Sequence, residues 1–164
     1  RGPMATNALR QMIHQTLWGP LDFLLLDLPP GTGDVHLSLI GEMKIDGAVI
    51  VSTPQRVALA DVVRGVSMFR NEKIGIPVLG LVENMAWFTP AELPDHRYYI
   101  FGREGARRLA EETGLPLLAE IPLVQSVRES GDEGRPVSAD NSVSGAFYRT
   151  LAENVVAELK KKAR

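Results

Sequence analysis

The chain has 164 residues, 45% of them hydrophobic and 23% charged, a balance that suits a folded globular protein and excludes a disordered or collagen-like one. Its formal net charge of −2 supplies no positive field for nucleic acid or an acidic membrane surface. Cysteine is absent, which excludes disulfides and thiolate-ligated zinc or iron–sulfur sites built from these residues and fits a reducing, cytoplasmic setting.

No apolar run approaches the ~18–20 residues that a membrane-spanning helix needs, and no secretory pattern opens the chain. The start, Arg1-Gly2-Pro3-Met4, reads as a piece of a longer polypeptide or a tag scar. A helix is predicted over about Met4–Leu17, followed by a leucine-rich strand at Phe23–Leu28 and a helix over Val35–Lys44. Gly47–Ser52 is the second strand. Leu59, Val62, Val63, Val66 and Phe69 then mark the buried stripe of a helix over Val57–Asn71. A third strand, Val78–Glu83, leads into Ala86–Phe101, a proline-broken aromatic segment too long for an ordinary connection. Such a segment is either functional or a stapled insertion. A short helix over Gly105–Glu112 stops at Gly114, Leu117–Ile121 is the fourth strand, and Phe147, Leu151, Val155 and Leu159 line a closing helix with a basic end.

The strands are continuous apolar runs rather than alternating ones, as in a sheet covered on both faces. Alternation with helices predicts an α/β fold, a mostly parallel sheet with helices on both faces, in a single domain over residues 1–164.

The chemistry concentrates in Asp27-Leu28-Pro29-Pro30-Gly31-Thr32-Gly33-Asp34. A carboxylate closing a buried strand faces the crevice where open parallel sheets bind ligands, and it can hold Mg²⁺ through water. Gly31 and Gly33 let main-chain N–H groups approach an anion, while Asp34 caps the next helix. A plain structural turn is the alternative. A dinucleotide fingerprint fails because its third glycine would fall at His36. His14, His36 and His96 lack metal-ligand spacing and read as surface or structural residues. No lysine follows a glycine, so the phosphate-gripping G-x-x-x-x-G-K-S/T motif does not occur in these residues. The chain holds half of a nucleotide site.

Asp27–Asp34 resembles the switch II region of the Mrp/ApbC group of MinD-like P-loop ATPases, known as iron–sulfur cluster carriers. Four further segments match in order: Arg1–Met4 with Ala8–Gln11, Ser52–Gln55, Glu83-Asn84-Met85 with Phe101, Gly102 and Gly105, and Ile121-Pro122-Leu123 with Arg128. The resemblance spans nearly the whole chain. It implies a three-layer MinD-like P-loop fold, incomplete on its N-terminal side because the family's Walker A loop and its strand lie upstream of the matched region. It also implies ATP and Mg²⁺ as cofactors. Asp27 matches the aspartate that meets Mg²⁺ through water and orients the attacking water. Gly31, with Thr32 beside it, matches the glycine whose N–H faces the terminal phosphate. Asn84 stands where relatives hydrogen-bond adenine, and Pro122 with Leu123 matches the loop lining the other side of that base. A cap or turn residue at Asn84 and a plain loop proline at Pro122 are the alternatives.

Many relatives carry C-x-x-C after the Glu-Asn-Met motif, where two subunits share a cluster. Here that place reads Thr89-Pro90-Ala91-Glu92, whose oxygens are poor substitutes for thiolates. The resemblance implies a homodimeric ATPase serving iron–sulfur apoprotein clients, without nucleic acid or membrane partners. Two alternatives stand beside it: a MinD- or ParA-like positioning ATPase, and a non-catalytic module docking through Trp87–Tyr99. A missing central strand would also leave an exposed apolar edge.

Overall fold

The computed structural model describes residues 2–29, 31, 33–90, 92–93 and 95–162. The first half contains helices α1 (Gly2–Gln15) and α2 (Asp34–Glu42), strand β1 (Ala48–Ser52) and helix α3 (Arg56–Arg70). The second half contains β2 (Val78–Phe88), α4 (Gly105–Thr113), β3 (Leu117–Leu123), α5 (Gln125–Asp132), a 3₁₀ turn at Val137–Ala139 and α6 (Val143–Lys162).

The three strands form one sheet in the order β1-β2-β3, parallel throughout. Their unbroken apolar character follows from cover on both sides. On one face Ile50, Leu81 and Leu117 pack with Val62 and Val66 of α3 and Leu109 and Ala110 of α4. On the other, Val49, Val82, Leu118 and Ile121 pack with Phe147, Tyr148, Leu151 and Val155 of α6. The fully buried ones among them, such as Leu81, Val82 and Leu118, each contribute about 1.5–3 kcal/mol of transfer free energy. The architecture is therefore three layers, helix on sheet on helix. Val63, counted in the sequence with the buried stripe of α3, is instead exposed.

Phe23–Leu28 is not a strand. Among the described residues nothing pairs with it, and Phe23 (56% exposed) and Leu25 (86%) stand in solvent. Apolar character makes a segment compatible with a sheet, but only a ladder partner satisfies its N–H and C=O groups. Exposed apolar side chains gather along this segment, from Leu17 to Leu26, outside the sheet.

β2 runs five residues beyond its predicted end, because Phe88 and Tyr98 exchange both backbone hydrogen bonds at 2.8 Å and close the aromatic segment into a loop. Ala91 and Pro94 of that loop lie outside the described residues. α2 begins at Asp34 with Gly33 in the cap position, so Asp34 is the first helical residue rather than the cap. α1 and α2 pack together, with Glu42 receiving Arg10 at 2.6 Å and lying 3.2 Å from His14. The Arg10 hydrogen bond holds the Glu42 carboxyl below the usual carboxylate range.

Candidate functional site

A parallel sheet gathers its carboxyl ends along one edge, and that edge is the usual ligand side. The ladder register places Ser52 opposite Glu83, Glu83 opposite Glu120, and Asn84 opposite Ile121. Asn84 therefore sits one residue beyond the end of β1, diagonal to Pro122. Asn84 lies on β2 and Pro122 and Leu123 on the neighbouring β3, where the ladder pairs Asn84 with Ile121 and Leu123 with Phe88. Asn84 was expected just past a strand end, and Pro122 and Leu123 in a loop. Asn84 instead lies inside β2, and the other two are the last residues of β3.

The reason is a bulge. Between Asn84 and Phe88 the β2–β3 register shifts, and Met85 takes a left-handed backbone with φ of 54°. For a residue with a Cβ this costs about 1–3 kcal/mol. Asn84 offsets part of that strain by accepting the Met85 N–H on Oδ1 at 2.9 Å. Its amide N–H₂ keeps no protein partner among the described residues. Pro122 is buried and Leu123 half-buried, and both are apolar.

Asp27 ends the unpaired extended segment, not a strand, and no ladder ties it to the edge that carries Asn84. It is exposed and makes no hydrogen bond or ion pair among the described residues. Gly31 follows with φ of 100°, a conformation open to glycine, and no atom of the described residues beyond its chain neighbours lies within 4 Å of where a Cβ would stand. Pro30 and Thr32 lie outside the described residues. The turn closes into α2 through the His36 N–H, which donates to Gly33 O at 3.1 Å. The His36 ring is buried, and its Nδ1 has no partner among the described residues.

Among the described residues no group of three His, Cys, Asp or Glu could enclose a metal ion. Mg²⁺ needs no such cage, because it keeps several waters and takes one or two carboxylates plus phosphate oxygens. An exposed carboxylate with no partner among the described residues, ahead of a glycine turn, fits that demand. The phosphate cradle itself is not encoded in these 164 residues.

Sequence reasoning used Glu83-Asn84-Met85 for Asn84 and passed over Glu83. Glu83 is 1% exposed, and burial pushes its carboxyl above the usual range. Its Oε2 accepts the Ala106 N–H at 2.6 Å, so it ties β2 to the first turn of α4. A carboxylate directly after the apolar run Val78–Val82 was the available signal, since such a group, once buried, must find a partner.

The family model described as ParA, NUBPL iron-transfer P-loop NTPase, matches residues 1–156. An Arabidopsis thaliana protein named iron-sulfur protein required for NADH dehydrogenase, mitochondrial, is 52% identical over 98% of this chain and 51% of its own length. The iron-sulfur cluster carrier protein of Haemophilus influenzae is 46% identical over 97% of this chain and 43% of its own length. The chain thus spans about half the length of the curated relatives it matches. Among solved structures, a nucleotide-binding protein from Archaeoglobus fulgidus in complex with ADP superposes with a TM-score of 0.73 at 38% identity, covering 84% of this chain and 55% of that one. The cell division ATPase MinD of Pyrococcus furiosus, at 23% identity and a TM-score of 0.64 over 96% of this chain and 59% of that one, shares the fold. With its match running through both helical layers and the whole sheet, the chain belongs to the NUBPL iron-transfer P-loop NTPase family.

Proposed function

We propose that the intact protein containing this chain is a Mg²⁺-dependent ATPase, acting as a homodimer and delivering an iron–sulfur cluster as cargo to apoprotein clients. The observation that carries this reading is the Asp27 carboxylate, without a partner among the described residues, directly ahead of the Gly31 turn in a chain of this family. Asp27 would accept hydrogen bonds from a water on Mg²⁺ and hold the attacking water in line. The Gly31 N–H would donate to the terminal phosphate, with Thr32 beside it. Asn84 would donate its free amide hydrogens to adenine, and Pro122 with Leu123 would cover the base from the other side. Bound Mg²⁺ would neutralise charge on the phosphoryl oxygens. The cluster's thiolate ligands would come from outside these 164 residues, since none of them is cysteine.

Asn84→Ala is expected to raise the Kd for a fluorescent ATP analogue by about tenfold, the loss of one or two hydrogen bonds to the base, with turnover at saturating ATP little changed. An unchanged Kd removes Asn84 from the base site. Cargo is tested by anaerobic reconstitution of the full-length protein with iron and sulfide. Retention of a cluster and its ATP-dependent transfer to an apo-ferredoxin is the expected result. No retained cluster, together with DNA or membrane binding, would make this a positioning ATPase instead.

A further inference from the structure

The three histidines have different surroundings. His14 lies against Glu42 and His96 is exposed, but His36, in the first turn of α2, is only 5% exposed. Its Nδ1 has no hydrogen-bond partner among the described residues. A buried polar atom left unpaired costs about 1–3 kcal/mol. Packing alone does not demand that cost. Leu39, three residues on and on the same face of α2, fills its place with an apolar side chain at 2% exposure. A histidine in such a row calls for a hydrogen-bond partner beyond those contacts.

The backbone around it is suited to an anion. α2, nine residues long, begins at Asp34, and no side chain caps it at Gly33. The first turn of a helix leaves N–H groups without intrahelical acceptors and carries the positive end of the helix dipole, a combination that favours phosphate oxygens. Gly31, two residues before the cap, has the left-handed backbone that lets a main chain come close to such a group. The His36 N–H donates to Gly33 O, so the residue is tied to this turn. Cα–Cβ bonds of a helix tilt toward its N-terminus, and the His36 side chain accordingly leans back over the turn.

We propose that His36 is a further phosphate-binding residue of this site, its Nδ1–H donating to an oxygen of the terminal phosphate of ATP beside the Gly31 N–H. The inference rests on the ATPase reading above and adds to it a group that distinguishes a nucleoside triphosphate from a diphosphate. With no lysine after any glycine in these residues, the donors this turn can offer are main-chain N–H groups and the imidazole. The contact exists with the triphosphate and is lost when the terminal phosphate leaves.

Calorimetric titration of the full-length protein, in Mg²⁺, with ADP or with the non-hydrolysed triphosphate analogue AMP-PNP tests the assignment. His36→Ala is expected to weaken AMP-PNP binding about tenfold or more, the loss of one hydrogen bond to a charged group, and to leave ADP binding unchanged. Asparagine places its amide nitrogen near the position of Nδ1, glutamine near that of Nε2. His36→Asn should therefore recover most of the AMP-PNP affinity and His36→Gln little of it. Should the cavity in His36→Ala unfold the protein, the two amide variants carry the test by themselves. Equal AMP-PNP affinity of His36→Ala and wild type, a matching loss of ADP affinity, or equal AMP-PNP affinity of the Asn and Gln variants overturns the proposal and leaves the ATPase reading standing. A wild-type protein that binds neither nucleotide overturns both.

Discussion

Asp27→Ala in the intact protein is expected to lower ATP turnover by about two to four orders of magnitude, the range lost when a positioned acid–base or water-orienting group is removed. The structure supports so specific a loss because Asp27 holds nothing else: it is exposed and free of hydrogen bonds and ion pairs among the described residues. Its substitution should therefore leave the melting temperature within the small range of a surface change. Asp27→Asn sharpens the test. The amide keeps size and one oxygen but loses the charge, so turnover should fall nearly as far while nucleotide affinity changes little. Phosphate release by wild type and both variants at saturating MgATP gives the comparison. Near-normal turnover in Asp27→Ala would remove this residue from the mechanism.

Glu83→Ala is expected to cost about 2–4 kcal/mol of stability, read from the denaturation midpoint of the intact protein. Two losses add: the Ala106 N–H is left buried without its acceptor, at about 1–3 kcal/mol, and a cavity opens between β2 and α4. Glu83→Gln should cost far less, because a side-chain oxygen still accepts that N–H. The pair of variants also separates packing from charge through pH. Burial is the leading cause that raises the folded pKa of Glu83, with nearby Glu120 adding to it, while the Ala106 N–H and Arg107 oppose it. Between the ordinary carboxylate range and that higher folded value the native state holds more protons than the unfolded one. The contribution of Glu83 to stability is therefore full at low pH and falls as pH rises through this window. The difference in stability between wild type and Glu83→Gln should shrink or reverse as pH rises there. A difference independent of pH would mean that Glu83 is ionised in both states.

Three of the four predicted strands were legible because cover on both faces leaves a mark in the sequence itself, as at Ile50, Leu81 and Leu118. The fourth, Phe23–Leu28, carries the same mark and forms no ladder, because pairing is a relation between two segments and is not written in either one. α5 went unread for the opposite reason. Its eight residues contain one aliphatic side chain, Val127, and no buried stripe, and pairs such as Gln125 with Glu129 and Arg128 with Asp132 lie along its exposed surface. At the site, Asp27 and Asn84 could be chosen from the ordered set of motifs, but not the bulge that holds Asn84. Met85 adopts its left-handed backbone without the glycine that usually announces one. The stacking of Arg97 over the Trp87 ring was equally hidden, since it depends on the Phe88–Tyr98 bridge that folds the loop back.

The most direct test of the account asks whether the Asp27 carboxylate helps to hold the metal. Free Mn²⁺, a spectroscopic stand-in for Mg²⁺, is counted by electron paramagnetic resonance during titration of the ATP-loaded, full-length protein. A carboxylate acting through a bound water should give Asp27→Ala a Mn²⁺ affinity about 10–100-fold weaker than wild type. Equal affinities, with ATP binding intact in both proteins, would contradict the assignment on which the proposed reaction rests.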